Sequence, residues 1–170
     1  MAPDNYVVDI NDSQDFLEVD SKFIKHAVCA ILQGENIGSA EISLAIVDNA
    51  TIHQLNRKYL KHDYATDVLS FVLEKGPNHL MGEIVASGEM AQQVCGRYNW
   101  SANDELTMYV VHGTLHLVGL EDQTAAQCAD MRSRENLYLD QLGIRPAPGD
   151  EAAIDARAAS EVALDGDLKL

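Results

Sequence analysis

A chain of 170 residues with 46% hydrophobic content is long enough for one domain with a buried core, with length left for a tail. Its formal charge of −15 excludes a broad electrostatic grip on nucleic acid, so any RNA chemistry needs a local basic patch or a partner that supplies affinity. No apolar run approaches the roughly 18 residues of a membrane span, and the opening MAPDNYVVDI has neither the basic region nor the apolar stretch of a secretory signal; a soluble, cytoplasmic protein without membrane contact is expected.

Residues 6–10 read as a short strand. Residues 20–33 carry Phe23, Ile24, Ala27, Val28 and Ile31 at helical spacing, with Asp20 or Ser21 as cap. The stretch 41–47 is a strand rich in β-branched residues. Asp48 or Asn49 caps a second helix over TIHQLNRKYLK, followed by a strand at 66–74, a break at 76–78 and a fourth strand at 81–87. A helix is expected from about Ser87 to Tyr98. Another opens at Ser101, with Glu105 four residues on, carries LTMYVVHGTLHLV and ends at Gly119, a residue that accepts the left-handed conformation of a helix exit. A last helix over 124–141 has Cys128, Met131, Leu137 and Leu139 as apolar candidates.

This order predicts an α+β fold, a small, mostly parallel four-stranded sheet packed with about five helices. After Gly143 the character changes. Pro146, Pro148 and Gly149 break any helix, and 149–170 is rich in alanine and acidic residues. Residues 1–146 are read as one domain and 147–170 as an acidic, mobile tail. Cys29, Cys95 and Cys128 are far apart and odd in number, which speaks against a disulfide framework or a cysteine-rich zinc site.

The chemistry concentrates at the end of the central helix. His112 and His116 are four residues apart, which on a helix places both imidazoles on one face, one turn from each other. Two nitrogens so placed can reach one ion at about 2.0–2.1 Å. The exit at Gly119 lets the chain turn back, bringing Asp122 within reach as a third, carboxylate ligand and leaving a fourth position for water whose pKa falls towards 7. On spacing alone, two ordinary helix histidines are the commoner reading. The apolar flanks Val110, Val111, Leu115, Leu117 and Val118 bury them, however, and buried imidazoles need partners. Gly113, costing about 1 kcal/mol relative to alanine inside a helix, signals a close approach to the backbone. It also stands where the H-E-x-x-H proteases carry their general base, which disfavours peptide hydrolysis.

The segment HGTLHLVGLEDQ (112–123) resembles the signature of the YbeY family of bacterial endoribonucleases, H-G-x-L-H-L-x-G-[YF]-D-H. LNRKYLKHDYATDVLSF (55–71) resembles the family's L-N-x-x-Y-R-x-x-D-x-P-T-D-V-L-S-F, and GEIVAS (82–87) its G-[DE]-I-x-I-S strand. The resemblance implies one zinc ion in a cleft of an α+β domain, cleavage of single-stranded RNA, maturation of ribosomal RNA (notably at the small-subunit 3′ end) and ribosome quality control. It implies ribosomal RNA and ribosomal small-subunit proteins as partners. Three departures stand out. The family's third histidine falls on Asp122, its arginine after Tyr59 is Leu60, and its proline before Thr66 is Ala65. Asp122 is read as a direct zinc ligand, with a base on the water or an outer partner as alternatives. Lys58 and Lys61 are candidates to replace the arginine.

No catalytic residue beyond the ligands is assigned. Glu83 can orient a water or be an ordinary strand carboxylate. Thr66, Asp67 and Ser70 can line the cleft, and Asp67 can equally close a local turn. Tyr98 and Trp100 can stack a base or simply pack. His26, His53, His62 and His79 have no ligand spacing. The competing functional class is a non-catalytic ribosome assembly factor with a structural metal site, its acidity serving to dock a basic ribosomal protein.

Overall fold

The structure is a computed structural model, and it describes residues 5–144. The expected boundary at 146 and the acidic segment 147–170 lie outside the described residues. The elements run β1 (Tyr6–Asp12), α1 (Ser21–Gly34), β2 (Ser39–Val47), α2 (Asn49–Leu60), β3 (Val68–Lys75), β4 (His79–Ser87), α3 (Gly88–Val94), a short 3-10 turn (Cys95–Tyr98), α4 (Ala102–Leu117) and α5 (Ala125–Gln141). The sheet order is β1-β2-β4-β3. β1 pairs with β2 and β2 with β4 in parallel, while β3 and β4 form an antiparallel hairpin closed by Gly76 N–H donating to His79 O. The expected α+β architecture, with a mostly parallel sheet and five helices, is the one found.

Strand alternation sorts the side chains into two layers. Ile42, Leu44 and Ile46 of β2 and Leu80, Ile84 and Ala86 of β4 face α1 and α4, meeting Ile24, Val28, Leu106, Val110 and Leu117. The alternate residues Val47, Leu69 and Val85 face α2 through Ile52 and Leu55. α5 packs on α4 through a separate cluster that joins Met108, Val111 and Leu115 to Met131, Tyr138 and Leu139. α4 is thus enclosed by the sheet on one side and a helix on the other, which explains its nearly continuous apolar sequence.

The caps are largely those of the sequence. Asp20 and Asp48 accept from Phe23 N and Thr51 N. Ser101 does open α4, but its reciprocal partner is Asp104, three residues on, where the capping box requires it; Glu105 turns inward and is fully buried. β3 starts two residues later than expected, because the Asp67 carboxylate accepts from Val68 N at 2.8 Å and holds a turn there. The helix expected to reach Tyr98 tightens into the 3-10 turn after Val94.

Candidate metal centre

Two close approaches hold α4 in place. At Gly113 an added Cβ would lie 2.9 Å from Ser70 Oγ and 3.2 Å from Ile84 Cγ2, and at Gly82 one would lie 2.8 Å from Leu117 Cδ1. The sheet lies so near the helix that Ser70 Oγ donates to the Gly113 carbonyl at 3.0 Å. This is the close approach the glycine implied. With Gly113 and Leu117 against the sheet, the adjacent stripe carrying His112 and His116 is left partly open.

The helix exit completes the site. Gly119 takes φ +112°, a left-handed conformation suited to glycine. Its N–H donates to His116 O while Leu120 N–H donates to Leu115 O, the paired bonds of a Schellman turn. That turn reverses the chain so that the Leu120 carbonyl accepts from His116 Nδ1 at 2.9 Å and the Asp122 side chain returns over the histidines. On the other ring, His112 Nδ1 donates to Glu135 Oε1 of α5 at 2.5 Å.

Both Nδ1 atoms are therefore committed, and both Nε2 atoms converge. They are 3.0 Å apart, and Asp122 Oδ2 lies 3.3 Å from His116 Nε2 and 3.5 Å from His112 Nε2. Three donors on a tetrahedral ion, at bonds of about 2.0–2.2 Å, stand roughly 3.3–3.5 Å apart, so the residues fit a single divalent ion. The three side chains retain 19%, 27% and 25% exposure, which leaves one side open to solvent. Among the described residues, these three form the one group of histidine, cysteine, aspartate or glutamate side chains able to share an ion.

The electrostatics point the same way. Burial alone would lower the His112 pKa. Hydrogen bonds to Asp122 and Glu135, with the charges of Glu135 and Asp67, outweigh it and raise the value well above the ordinary one. The two imidazoles in turn hold the Asp122 carboxyl far below the usual carboxylate range. With both Nδ1 atoms donating elsewhere, two Nε2 atoms facing each other at 3.0 Å favour a positive charge between them.

The family model described as endoribonuclease YbeY matches residues 9–143. The chain belongs to the endoribonuclease YbeY family. Its relatives include an endoribonuclease YbeY of Rhodopirellula baltica, 40% identical over 138 residues, covering 79% of this chain and 71% of that protein. Another, from Chloroherpeton thalassium, is 38% identical over 125 residues, covering 74% and 88%. One from Moorella thermoacetica is 44% identical over 119 residues, covering 64% and 76%. The fold is also that of the Thermotoga maritima protein TM1509, solved in solution, at a TM-score of 0.56 and 23% identity over 84% of this chain and 99% of that one.

Against the YbeY pattern, the aspartate at the third-histidine position sits where it can join the other two donors. Leu60, in place of the arginine, is 46% exposed at the end of α2, with Lys58 and Lys61 exposed on either side. Asp67 is close enough for its charge to act on His112, and Ser70 touches the ligand helix, so this part of the expected lining is assembled. Glu83 is not part of it. It pairs across the sheet with Phe71 and alternates with Gly82 and Ile84, so it lies on the α2 face, away from α4. Trp100 is a core residue in the cluster between α4 and α5, and the side chain of Tyr98 lies outside the described residues. His53 bonds Asp63, His62 stacks on Tyr64, and His79 bonds Ser39, and none of them is part of the cluster.

Glu135 is the residue the sequence reading missed. The buried face of α5 is Met131, Glu135, Tyr138 and Leu139, while Leu137, taken for an apolar core position, is 48% exposed. A glutamate four residues after Met131, inside an apolar stripe, was the available signal.

Proposed function

We propose that this chain is a metal-dependent endoribonuclease that holds one divalent ion, zinc by its ligand types, through His112, His116 and Asp122, and hydrolyses single-stranded RNA. The observation that carries the reading is the convergence of two Nε2 atoms and one carboxylate oxygen, each within 3.5 Å of the others. Its membership of the endoribonuclease YbeY family supports the substrate class. The ion, when bound, supplies Lewis acidity for water activation and for charge on a phosphate oxygen.

The chain's own residues supply the rest. The Nδ1 hydrogen bonds hold both imidazoles with their lone pairs aimed inward. Asp122 supplies an anionic oxygen and lowers the net charge of the centre relative to three imidazoles. For RNA, the C-terminal turn of α2 offers a local basic patch in an otherwise acidic chain, formed by Arg57, Lys58 and Lys61. Beside it the ring of Tyr59, 56% exposed, rests edge-on against Phe71 at 5.7 Å, a surface suited to stacking an unpaired base. Ribosomal RNA as substrate, ribosomal small-subunit proteins as partners, ribosome maturation and quality control as the setting, and the cytoplasm as the location belong to this proposal. Among the described residues, no helix is long and apolar enough to cross a membrane.

The test pairs metal analysis with cleavage of a single-stranded RNA by wild type and His116→Ala. The variant is expected to lose both. Undiminished cleavage by a metal-free variant, with contaminating nucleases excluded, overturns the reading. The formal charge of −15 and Leu60 in place of an arginine favour a second reading, a non-catalytic assembly factor. That reading wins if the metal-site variant restores ribosomal RNA processing as well as wild type in a strain lacking the protein.

A further inference from the structure

Glu135 is a carboxylate only 7% exposed, placed between α5 and α4 beside Met131 and Tyr138. Burying such a group is costly unless a partner offsets the lost hydration. Its partner is His112 Nδ1, at 2.5 Å, on the side of the ring opposite the Nε2 that faces His116 and Asp122. Glu135 therefore does not face the ion's position. It stands behind one of the ligands.

We propose that Glu135 is a positioning residue that fixes His112 as a metal ligand, acting from a different helix; this rests on the metal reading above. Three effects follow from one hydrogen bond. The proton is kept on Nδ1, so the Nε2 lone pair is available. The ring cannot rotate out of the plane that aims it at Asp122. The negative charge behind the ring strengthens Nε2 as a donor. His116 is served differently, by the neutral backbone carbonyl of Leu120. The two ligands thus have unequal support, and the support of His112 is a side chain that substitution can remove. The contact also explains why a carboxylate occupies a core position of α5, where packing alone would favour an apolar residue.

The experiment titrates zinc, against a chromophoric competitor, into full-length protein stripped by chelation. It compares wild type with Glu135→Gln, Glu135→Ala and Arg134→Ala. Arg134 neighbours Glu135 but pairs with Glu35 on the outer side of α5, so its variant tests whether helix docking in general matters. Glu135→Ala is expected to weaken zinc binding by about 10–100-fold. Glu135→Gln should fall in between, because its amide oxygen still accepts from Nδ1 while the charge is gone. Arg134→Ala should bind as wild type. In the zinc-loaded proteins, nitrogen-15 spectra should show the His112 Nδ1–H hydrogen-bonded in wild type and shifted in Glu135→Ala as that bond is lost.

Zinc binding within about twofold of wild type in a folded Glu135→Ala protein overturns the proposal, given that such outer partners ordinarily cost tenfold or more. So does an equal loss in Arg134→Ala. If wild type itself takes up no zinc, the metal reading falls and the proposal with it. A loss confined to the Glu135 variants leaves that reading standing and supports the role assigned here.

Discussion

The candidate metal centre and the exposed rim of the sheet, formed by the end of α2 and the edge strand β3, are built on opposite principles. At the centre nearly every polar atom is committed: both Nδ1 atoms are bonded, the ligand helix lies against the sheet through Gly113, and Asp122 is held by two imidazoles. At the rim Tyr59, Leu60, Tyr64, Val72 and Leu73 are exposed, as are Lys61 and Lys58, whose Nζ lies 5.0 Å from the Tyr59 ring centroid. A centre needs donors held in place before the ion arrives, since misplacement by an ångström is expensive. A surface that takes any single strand needs reach, charge and a ring face, and tolerates mobility.

If that contrast is right, changes at the centre act all-or-none and changes at the rim act by degrees. The largest effect is expected for Asp122→Ala, with zinc affinity falling by more than about 100-fold, beyond the cost of losing an outer partner. Asp122→His, which restores the family's third imidazole, should keep the metal. Elemental analysis of both variants checks this, and full zinc occupancy in Asp122→Ala would show that the carboxylate is not a ligand. Next is Gly113→Val, whose side chain meets Ser70, Val68 and Ile84 at 2.9–3.2 Å from its first carbon. It should cost about 1–3 kcal/mol by overpacking, read as a lower denaturant midpoint.

Acidity separates the metal-free and loaded forms. In the metal-free chain the raised His112 pKa contributes stability that is complete below its ordinary value of 6.5 and is lost as pH rises through the folded value. The depressed Asp122 contributes above its ordinary 3.8 and loses that contribution on strong acidification. Melting temperatures of chelated protein should therefore peak between these limits and decline towards alkaline pH. Zinc affinity should run the other way, still rising above pH 6.5, because the ion must displace the His112 proton. A chelated protein that grows more stable above neutrality contradicts the pairing.

The smallest effects belong to the rim. Tyr59→Ala should weaken single-stranded RNA binding by about 1–3 kcal/mol, the worth of one stacked base. Each of Lys58→Ala and Lys61→Ala should reduce the salt slope of binding by about 0.7. None should change zinc content or the melting temperature. A rim variant that loses metal would merge the two regions into one.

The clustering of His112, His116 and Asp122 was legible because it is local. Helical spacing relates His112 to His116, and a glycine exit relates both to Asp122, with no knowledge of the rest of the fold. Glu135 was not legible because its meaning depends on how α5 rolls onto α4. That roll decides that Tyr138 turns inward and Leu137 outward; the spacing from Met131 to Glu135 hints at it, and only the packed pair of helices decides it. Strand ends were misplaced for a similar reason: β1 continues to Asp12 because β2 offers partners that far, through Ile46. Glu83 was ambiguous until the pairing with Phe71 placed it on the far face. Trp100, next to a helix start, reads alike as packing or stacking until the cluster around it is known.

The Schellman turn at Gly119 brings all three candidate ligands within residues 112–122. Closing so short a loop sacrifices little chain entropy, so capture of the ion draws few distant segments together. Besides the packing that holds α4 to the sheet, the bond from His112 to Glu135 links this short loop across to the last helix.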